Sequence, residues 1–432
     1  METFSDLSQL LARFRSLGAT RVVFKALSQN DNSKQQIYLG GDFEALNLFR
    51  FGKVEACASM KEPNFKAKID LHWVTPSEAA PAPNAQLILY PQYPEVRLSG
   101  FLRGCGLAPS TLMRPVPRQM RTGTDGRVMF FGVTTDGRTL VTLAQAQSPL
   151  AFEAMLSQAP ESLFTELLLP GTVAGNSRHA LLEALRDIQA RGFVPSMRLD
   201  RDGKLVSYMA RNGGGYTLEA LLGIRPNSLA EPDFMGWEVK GYGGSKLTLM
   251  TPEPDGGYYG EQGVSRFLRR YGREIREKDQ LYFTGLHRNG EVNATTLLTL
   301  TLAGYDHKKR LISDVNGSIN LLGPCGETAV SWSYSSLLEH WNRKHAAAAY
   351  VPYTTEQATP PNYRYNNPIL LGEGTDFSRY LAAVAEGKVI FDPGSKLEHI
   401  SSKNPKPKAR SQFRISRKHL DCLYERTESI TL

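Results

Sequence analysis

Four residues carry the chemistry that this sequence offers: Glu219, Asp233, Glu238 and Lys240. Two carboxylates and an ammonium converging on one point meet the needs of metal-assisted phosphodiester hydrolysis. Carboxylate oxygens are hard ligands for Mg²⁺, which keeps most of its waters and takes one or two carboxylates plus a substrate phosphate. The ion lowers the pKa of a bound water and offsets charge building on the transition state and leaving oxygen. Lys240 is suited to positioning the attacking water or holding the phosphate. The main-chain carbonyl of Val239 could complete the metal shell, and Glu219 is an auxiliary carboxylate. Taken alone, an Asp followed by Glu-x-Lys is equally a surface strand with a salt bridge, so the elements around it must decide.

Trp237 to Lys240 reads as a strand. Side chains alternate along a strand, so Glu238 and Lys240 share one face while Trp237 and Val239 point into a core. Gly236 can turn the chain, which lets Asp233 return to the same edge as the front of a hairpin. Thr217 to Ile224 reads as a short helix entered from the glycine loop at 213–215, and it carries Glu219. Upstream, Leu181, Leu182, Leu185 and Ile188 mark an amphipathic helix that ends near Gly192. The stretch from Phe193 to Met209 reads as a hairpin turned by Asp202-Gly203.

The wider frame carries a resemblance. Gly215-Tyr216-Thr217-Leu218-Glu219 is followed by Leu222-Gly223-Ile224, Asn227, Pro232-Asp233 and Gly236-Trp237-Glu238-Val239-Lys240. Further on stand Lys246 to Pro254 and Gly387 to Asp392. Over roughly residues 180–400 this text resembles the MvaI/BcnI family of restriction endonucleases and, more distantly, the mismatch-repair nicking enzyme MutH. The resemblance implies an α+β PD-(D/E)xK nuclease core, a mixed central sheet flanked by helices, cutting DNA with Mg²⁺. It makes Asp233 and Glu238 the metal ligands, Lys240 the catalytic lysine and Glu219 the auxiliary acid. It also implies a monomer. The insertion of Gly241-Tyr242-Gly243-Gly244 departs from the family's longer polar stretch and bears on where Lys246 lies.

The whole chain is consistent with that reading. It has 432 residues, 41% of them hydrophobic, and a net charge of +8. The mean hydropathy is -0.33 and the isoelectric point is near 9.2. No apolar run approaches the roughly 20 residues of a membrane-spanning helix, which excludes an integral helical membrane protein. The start, Met1 to Asp6, lacks the basic and apolar segments of a secretory signal, and a cytoplasmic protein is expected. Cysteines at 57, 105, 325 and 422 form no CxxC pair, so a disulfide framework or thiolate zinc site is not expected. Residues 1–165 read as a smaller α+β domain with a regulatory, DNA-binding or protein-partner role, residues 176–400 as the nuclease and residues 401–432 as a basic arm. In the first domain the strands run at 21–25, 36–39, 86–90, 95–98, 128–133 and 139–143, the last two joined by a turn at Thr135-Asp136-Gly137.

Double-stranded DNA is the expected partner. A helix over 264–276 would bury Val264, Phe267, Leu268, Tyr271 and Ile275 and present Arg269, Arg270 and Arg273. Lys406, Lys408 and Arg410 lie in a tract from Lys403 to Lys418 with no acidic residue, read as a flexible phosphate-binding arm. Lys344 and Arg364 are candidates for base or backbone contact. The function expected is sequence-specific cleavage of DNA, of restriction or anti-phage type. A strand-nicking repair endonuclease and a non-catalytic sequence-specific DNA-binding protein are the alternatives, the latter disfavoured because all four charged residues are present.

Overall fold

The computed structural model describes residues 2–27, 36–41, 43–114, 116–122, 126–157, 164–169, 177–210, 212–224, 234–342 and 347–432. The chain divides into two compact units, Met1–Gly175 and Asn176–Leu432. Among the described residues no helix is long and apolar enough to cross a membrane.

The first unit is built on two sheets. Helix Leu7–Ser16 is opened by Asp6, whose side chain accepts from the Gln9 amide, and it buries Leu10, Leu11 and Phe14. That N-cap satisfies one of the donors a helix start leaves unpaired. Those apolar residues join Val22, Phe24, Phe130 and Leu140 in one core. A six-stranded sheet runs in the order Thr165–Leu167, Ala19–Leu27, Arg127–Thr134, Thr139–Gln145, Leu71–Val74, Ala79–Pro81. The last of these strands lies within the proline-rich stretch from Pro76 to Asn84. A five-stranded antiparallel sheet runs Ile37–Gly40, Glu95–Ser99, Gln86–Tyr90, Asn64–Lys68, Val54–Cys57. The strands expected from alternation overlap these elements, the one at 36–39 shifted by one residue to Ile37–Gly40, and Gly137, at φ 92°, makes the turn between 127–134 and 139–145.

The second unit is organised by a mixed sheet. Ala347–Glu356 is its long central strand. Asn362–Tyr365 pairs antiparallel with one half of it, Ile369–Glu373 with the other, and Arg426–Ile430 with Ile369–Glu373. The predicted strand, observed as Glu238–Tyr242, pairs parallel with Ala347–Glu356, Glu238 opposite Ala348 and Lys240 opposite Tyr350. Helix Ser177–Ala190 packs Leu181, Leu185 and Ile188 into a core with Trp237, Val239, Ala349 and Val351. This is the α+β architecture expected: a mixed sheet flanked by helices, preceded by a smaller α+β unit. The hairpin expected over 193–209 is only partly formed. Met197–Leu199 pairs with Leu205–Ser207 around Gly203, but Val194–Pro195 joins Asn362–Tyr365 instead.

Two expectations for basic segments are corrected. Helix Gly257–Tyr271 ends at Tyr271, and Arg273 lies in a strand, Arg273–Ile275. Gly272 breaks the helix, turning extended while its N–H still reaches the Leu268 carbonyl at 2.9 Å. Residues 401–432 are not a flexible arm. Lys406–Lys408 pairs with Gly394–Glu398, Phe413–Ser416 lies between Lys246–Met250 and Val389–Phe391, and Arg426–Ile430 extends the central sheet. Burial of Phe413, Ile415, Leu420 and Leu423 fixes this segment, outweighing the charge repulsion that its composition suggested.

Candidate active site

The site is built on strand Glu238–Tyr242. The turn before it is tight: Phe234 and Trp237 exchange both backbone hydrogen bonds, at 2.9 and 2.8 Å, around Met235 at φ 47° and Gly236 at φ 92°. Two central residues with positive φ define the hairpin turn whose twist matches the flanking strands, and glycine makes one of them inexpensive. Asp233 lies outside the described residues, immediately before Phe234 in sequence.

Alternation then distributes the side chains as expected. Trp237 and Val239 enter the core. Glu238 and Lys240 share the other face, with Lys240 Nζ 2.6 Å from Glu238 Oε1. The Glu238 side chain is only 4% exposed and that of Lys240 19%. Removing either member of so buried a pair would leave an uncompensated charge in a poorly hydrated place.

A second pair lies on the same sheet face. Tyr350, cross-strand partner of Lys240, has its hydroxyl 2.7 Å from that of Tyr424, both side chains being buried. Burial pushes the Tyr350 hydroxyl up to about 12, with Lys240 pulling it down and Glu238 pushing it up. Burial raises Tyr424 further, helped by the Glu238 charge. Gly372 makes this possible, since a Cβ there would strike the Tyr424 ring. Nothing in the local sequence around Tyr350 or Tyr424 signals this pairing.

Helix Gly213–Leu221, which carries Glu219, is one turn longer at its start than the sequence suggests. Its glycines are seats for tyrosines. A Cβ on Gly213 would lie 2.5 Å from Ser196 Oγ and 2.7 Å from the Tyr363 hydroxyl, and one on Gly214 would enter the Tyr353 ring. Tyr365 donates its hydroxyl to the Gly214 carbonyl at 2.7 Å. Thr217 Oγ1 accepts from the Met197 amide at 3.0 Å and donates to the Met197 carbonyl at 3.2 Å. A Cβ on Gly241 would contact the Gly214 carbonyl, so this helix packs on the Val239 and Gly241 face of the strand. Glu219 is half-buried, its charge felt by Tyr216 and Tyr365, on a helix set against the face opposite to Glu238 and Lys240.

The basic residues fall into two groups. Arg273, Tyr282, Lys396 and Lys408 are successive cross-strand partners, a row across the four-stranded sheet Arg273–Ile275, Gln280–Thr284, Gly394–Glu398, Lys406–Lys408. Lys406 lies in the adjoining row opposite Glu398. Glu398 receives Lys396 at 2.5 Å and Lys408 at 2.7 Å, and these two hold its carboxyl at about 2. Residues from two separate sequence clusters thus meet on one sheet face. Arg410 follows, exposed, with its amide on Ser395 Oγ. Elsewhere, Arg269 is exposed, Arg270 stacks on Tyr258 at 4.7 Å and Tyr271 at 5.2 Å, and Arg364 is exposed on the central sheet. Lys344 lies outside the described residues.

No group of three or more His, Cys, Asp or Glu that could hold a metal is assembled among the described residues. The donor chemistry of the strand nonetheless fits a hard cation: the Glu238 carboxylate stands next in sequence to the Val239 carbonyl, and an ion that retains several waters needs few protein ligands.

The model of the MvaI/BcnI restriction endonuclease family matches residues 182–424, taking in the helix of Glu219, the strand of Glu238 and Lys240 and the four-stranded basic sheet. The second unit is therefore a restriction-endonuclease unit. The chain belongs to the MvaI/BcnI restriction endonuclease family, and so to the DNA endonucleases. Among solved structures it is similar to restriction endonuclease MvaI in complex with cognate DNA, at 18% identity and a TM-score of 0.47, covering 60% of this chain and 100% of that one. MvaI in the absence of DNA matches at 17% identity and a TM-score of 0.34, with coverage of 60% and 100%. The B3 domain of the UbaLAI restriction endonuclease with cognate DNA matches at 17% and 0.23, with coverage of 37% and 96%. No curated protein matches as a relative.

Proposed function

We propose that this chain is a Mg²⁺-dependent endonuclease of PD-(D/E)xK type that cuts double-stranded DNA at specific sequences, serving restriction of invading DNA in the cytoplasm. The observation that carries the reading is the buried Glu238–Lys240 pair on the edge strand of the mixed sheet, within a chain of the restriction endonuclease family. Glu238 and Asp233 would hold the ion, with the Val239 carbonyl beside them. A bound Mg²⁺ supplies Lewis-acid stabilisation of the scissile phosphate and acidifies water near neutral pH. Lys240, 2.6 Å from Glu238, would place its ammonium where the transferring phosphate or the attacking water must sit. Glu219, on the helix packed against the opposite face of this strand, would act only as an auxiliary acid behind the Glu238–Lys240 pair.

The basic sheet face supports binding of the duplex. Lys396 and Lys408 stand on neighbouring strands roughly 4.8 Å apart, with Lys406 on the same strand as Lys408 and Arg273 two strands from Lys396 across Tyr282, a basic face suited to a phosphate backbone. Arg269, Arg270, Lys344, Arg364 and Arg410 are the further proposed contacts. The unit would act as a monomer, and the first unit would adjust target choice.

The test is incubation of purified protein with supercoiled plasmid and phage DNA, methylated and unmethylated, with Mg²⁺ or EDTA. Discrete Mg²⁺-dependent fragments are expected. Nicked circles alone would replace double-strand cleavage by a strand-nicking activity, and salt-sensitive binding with no cleavage under any condition would sink the enzymatic reading.

A further inference from the structure

The first unit has a polar cavity that the nuclease chemistry does not use. It has a volume of about 230 Å³ and is lined by Lys68, Asn84, Gln86, Ser99, Gly100 and Arg103, with Pro83 and Ala85. Three of these residues form a cross-strand row: Lys68 is the partner of Gln86, and Gln86 the partner of Ser99. Registered partners in antiparallel strands project to one face, so an ammonium, an amide and a hydroxyl point the same way. Arg103 and Asn84 close the end, with the Asn84 side-chain amide donating to the Arg103 carbonyl at 3.2 Å.

The rim is built rather than incidental. Gly100, at φ 70°, lets the two loops approach so closely that a Cβ would collide with the Asn84 carbonyl. Gly104, at φ 76°, lies against Pro83 in the same way. The charge lining the cavity is of one sign. Lys68 and Arg103 have no carboxylate partner among the described residues, and none of the lining residues is acidic.

We propose that this cavity binds a backbone phosphate of duplex DNA, giving the first unit its own DNA contact. The donors are all of one kind: ammonium, guanidinium, amide N–H and hydroxyl, the set that recognises an oxyanion. The cavity is smaller than the roughly 300–1,000 Å³ of ordinary small-molecule pockets and lacks their apolar walls, which suits one phosphodiester group and not a whole nucleotide. The choice of DNA over free phosphate rests on the endonuclease reading of the chain, and the test separates the two.

Binding of the full chain to a 30-base-pair duplex in EDTA is measured by fluorescence anisotropy across a salt series, for the wild type and for Lys68→Ala/Arg103→Ala. Both side chains are exposed, and coincident melting curves check that the variant folds. Removing two cations from phosphate contact should reduce the slope of log K against log salt by about 1.8. Lys68→Arg/Arg103→Lys should restore the slope, and for the double-alanine variant KM of Mg²⁺-dependent cleavage should rise more than kcat at saturating DNA changes. A double-alanine variant with wild-type slope and affinity overturns the proposal. So does the result in which inorganic phosphate raises the melting temperature of the wild type, not of the variant, while duplex binding stays equal; that outcome would make the cavity a small-anion site. Failure of the endonuclease reading has a different signature, the absence of Mg²⁺-dependent cleavage by the wild type.

Discussion

The hydroxyls of Tyr350 and Tyr424 lie 2.7 Å apart on the sheet face that presents Glu238 and Lys240. Two hydroxyls share one hydrogen bond between them, and Tyr424 is brought there by the segment after the 3-10 turn Arg417–Leu423. Tyr424→Phe and Tyr350→Phe should each cost about 1 kcal/mol, the net worth of a buried hydrogen bond plus the orphaned partner. The urea midpoint should fall, and the cleavage rate should drop several-fold with its pH profile displaced. An unchanged profile would confine the pair to a packing role.

Glu238 and Lys240 should behave as a unit. Glu238→Ala or Lys240→Ala leaves the other charge buried, a loss of about 3–5 kcal/mol, and should abolish cleavage while sparing most duplex affinity. Glu238→Gln/Lys240→Met should recover much of the stability and none of the activity. Denaturant midpoints beside a plasmid assay decide this, and full activity in any of these variants would remove the pair from the active site.

The seating of the Glu219 helix makes a third prediction. Gly214→Ala places a methyl into the Tyr353 ring, and overpacking of this kind costs about 1–3 kcal/mol. Thermal melting should show the loss. Tyr353→Leu, made in the same background, should relieve part of it, whereas Gly215→Ala should be mild because a Cβ there meets nothing within 4 Å.

His287 gives the protein a pH dependence. It is fully buried, stacked on Phe283 and packed at a tilt against Phe391, with Nε2 2.8 Å from Thr296 Oγ1. Burial lowers its pKa from 6.5 to about 4. The folded state favours the neutral ring, so this contribution is fully present above pH 6.5 and is lost as pH falls from 6.5 through 4. The loss amounts to about 3 kcal/mol. A urea series from pH 7.5 to 4 should show it, and His287→Gln should flatten that part of the slope.

What the sequence disclosed was local. Trp237, Glu238, Val239 and Lys240 obey a period of two within one strand, so their faces could be assigned from spacing. The Thr135-Asp136-Gly137 turn was legible for the same reason. The Tyr350–Tyr424 pair depends on strands that meet only in the folded sheet, and no short-range pattern encodes it. The glycines at 213–215 were visible but read as a loop, because the tyrosines that require Gly213 and Gly214 stand far along the chain, at 363 and 353. Charge density misled at the end of the chain: Lys406-Pro407-Lys408 looks like a solvated tether. It sits at the end of the strand order of its sheet, where a proline's missing N–H costs no ladder bond, and the apolar residues that follow anchor it.

The parallel pairing of Glu238–Tyr242 with Ala347–Glu356 joins residues more than a hundred positions apart. Parallel strands so distant in sequence cannot zip up from a turn, and the entropy of closing the intervening loop must be met before any ladder bond forms. Assembly of the Glu238–Lys240 strand onto its sheet is therefore among the slow steps of folding. Until that pairing forms, the sheet face on which Glu238 and Lys240 lie beside Tyr350 and Tyr424 is not assembled.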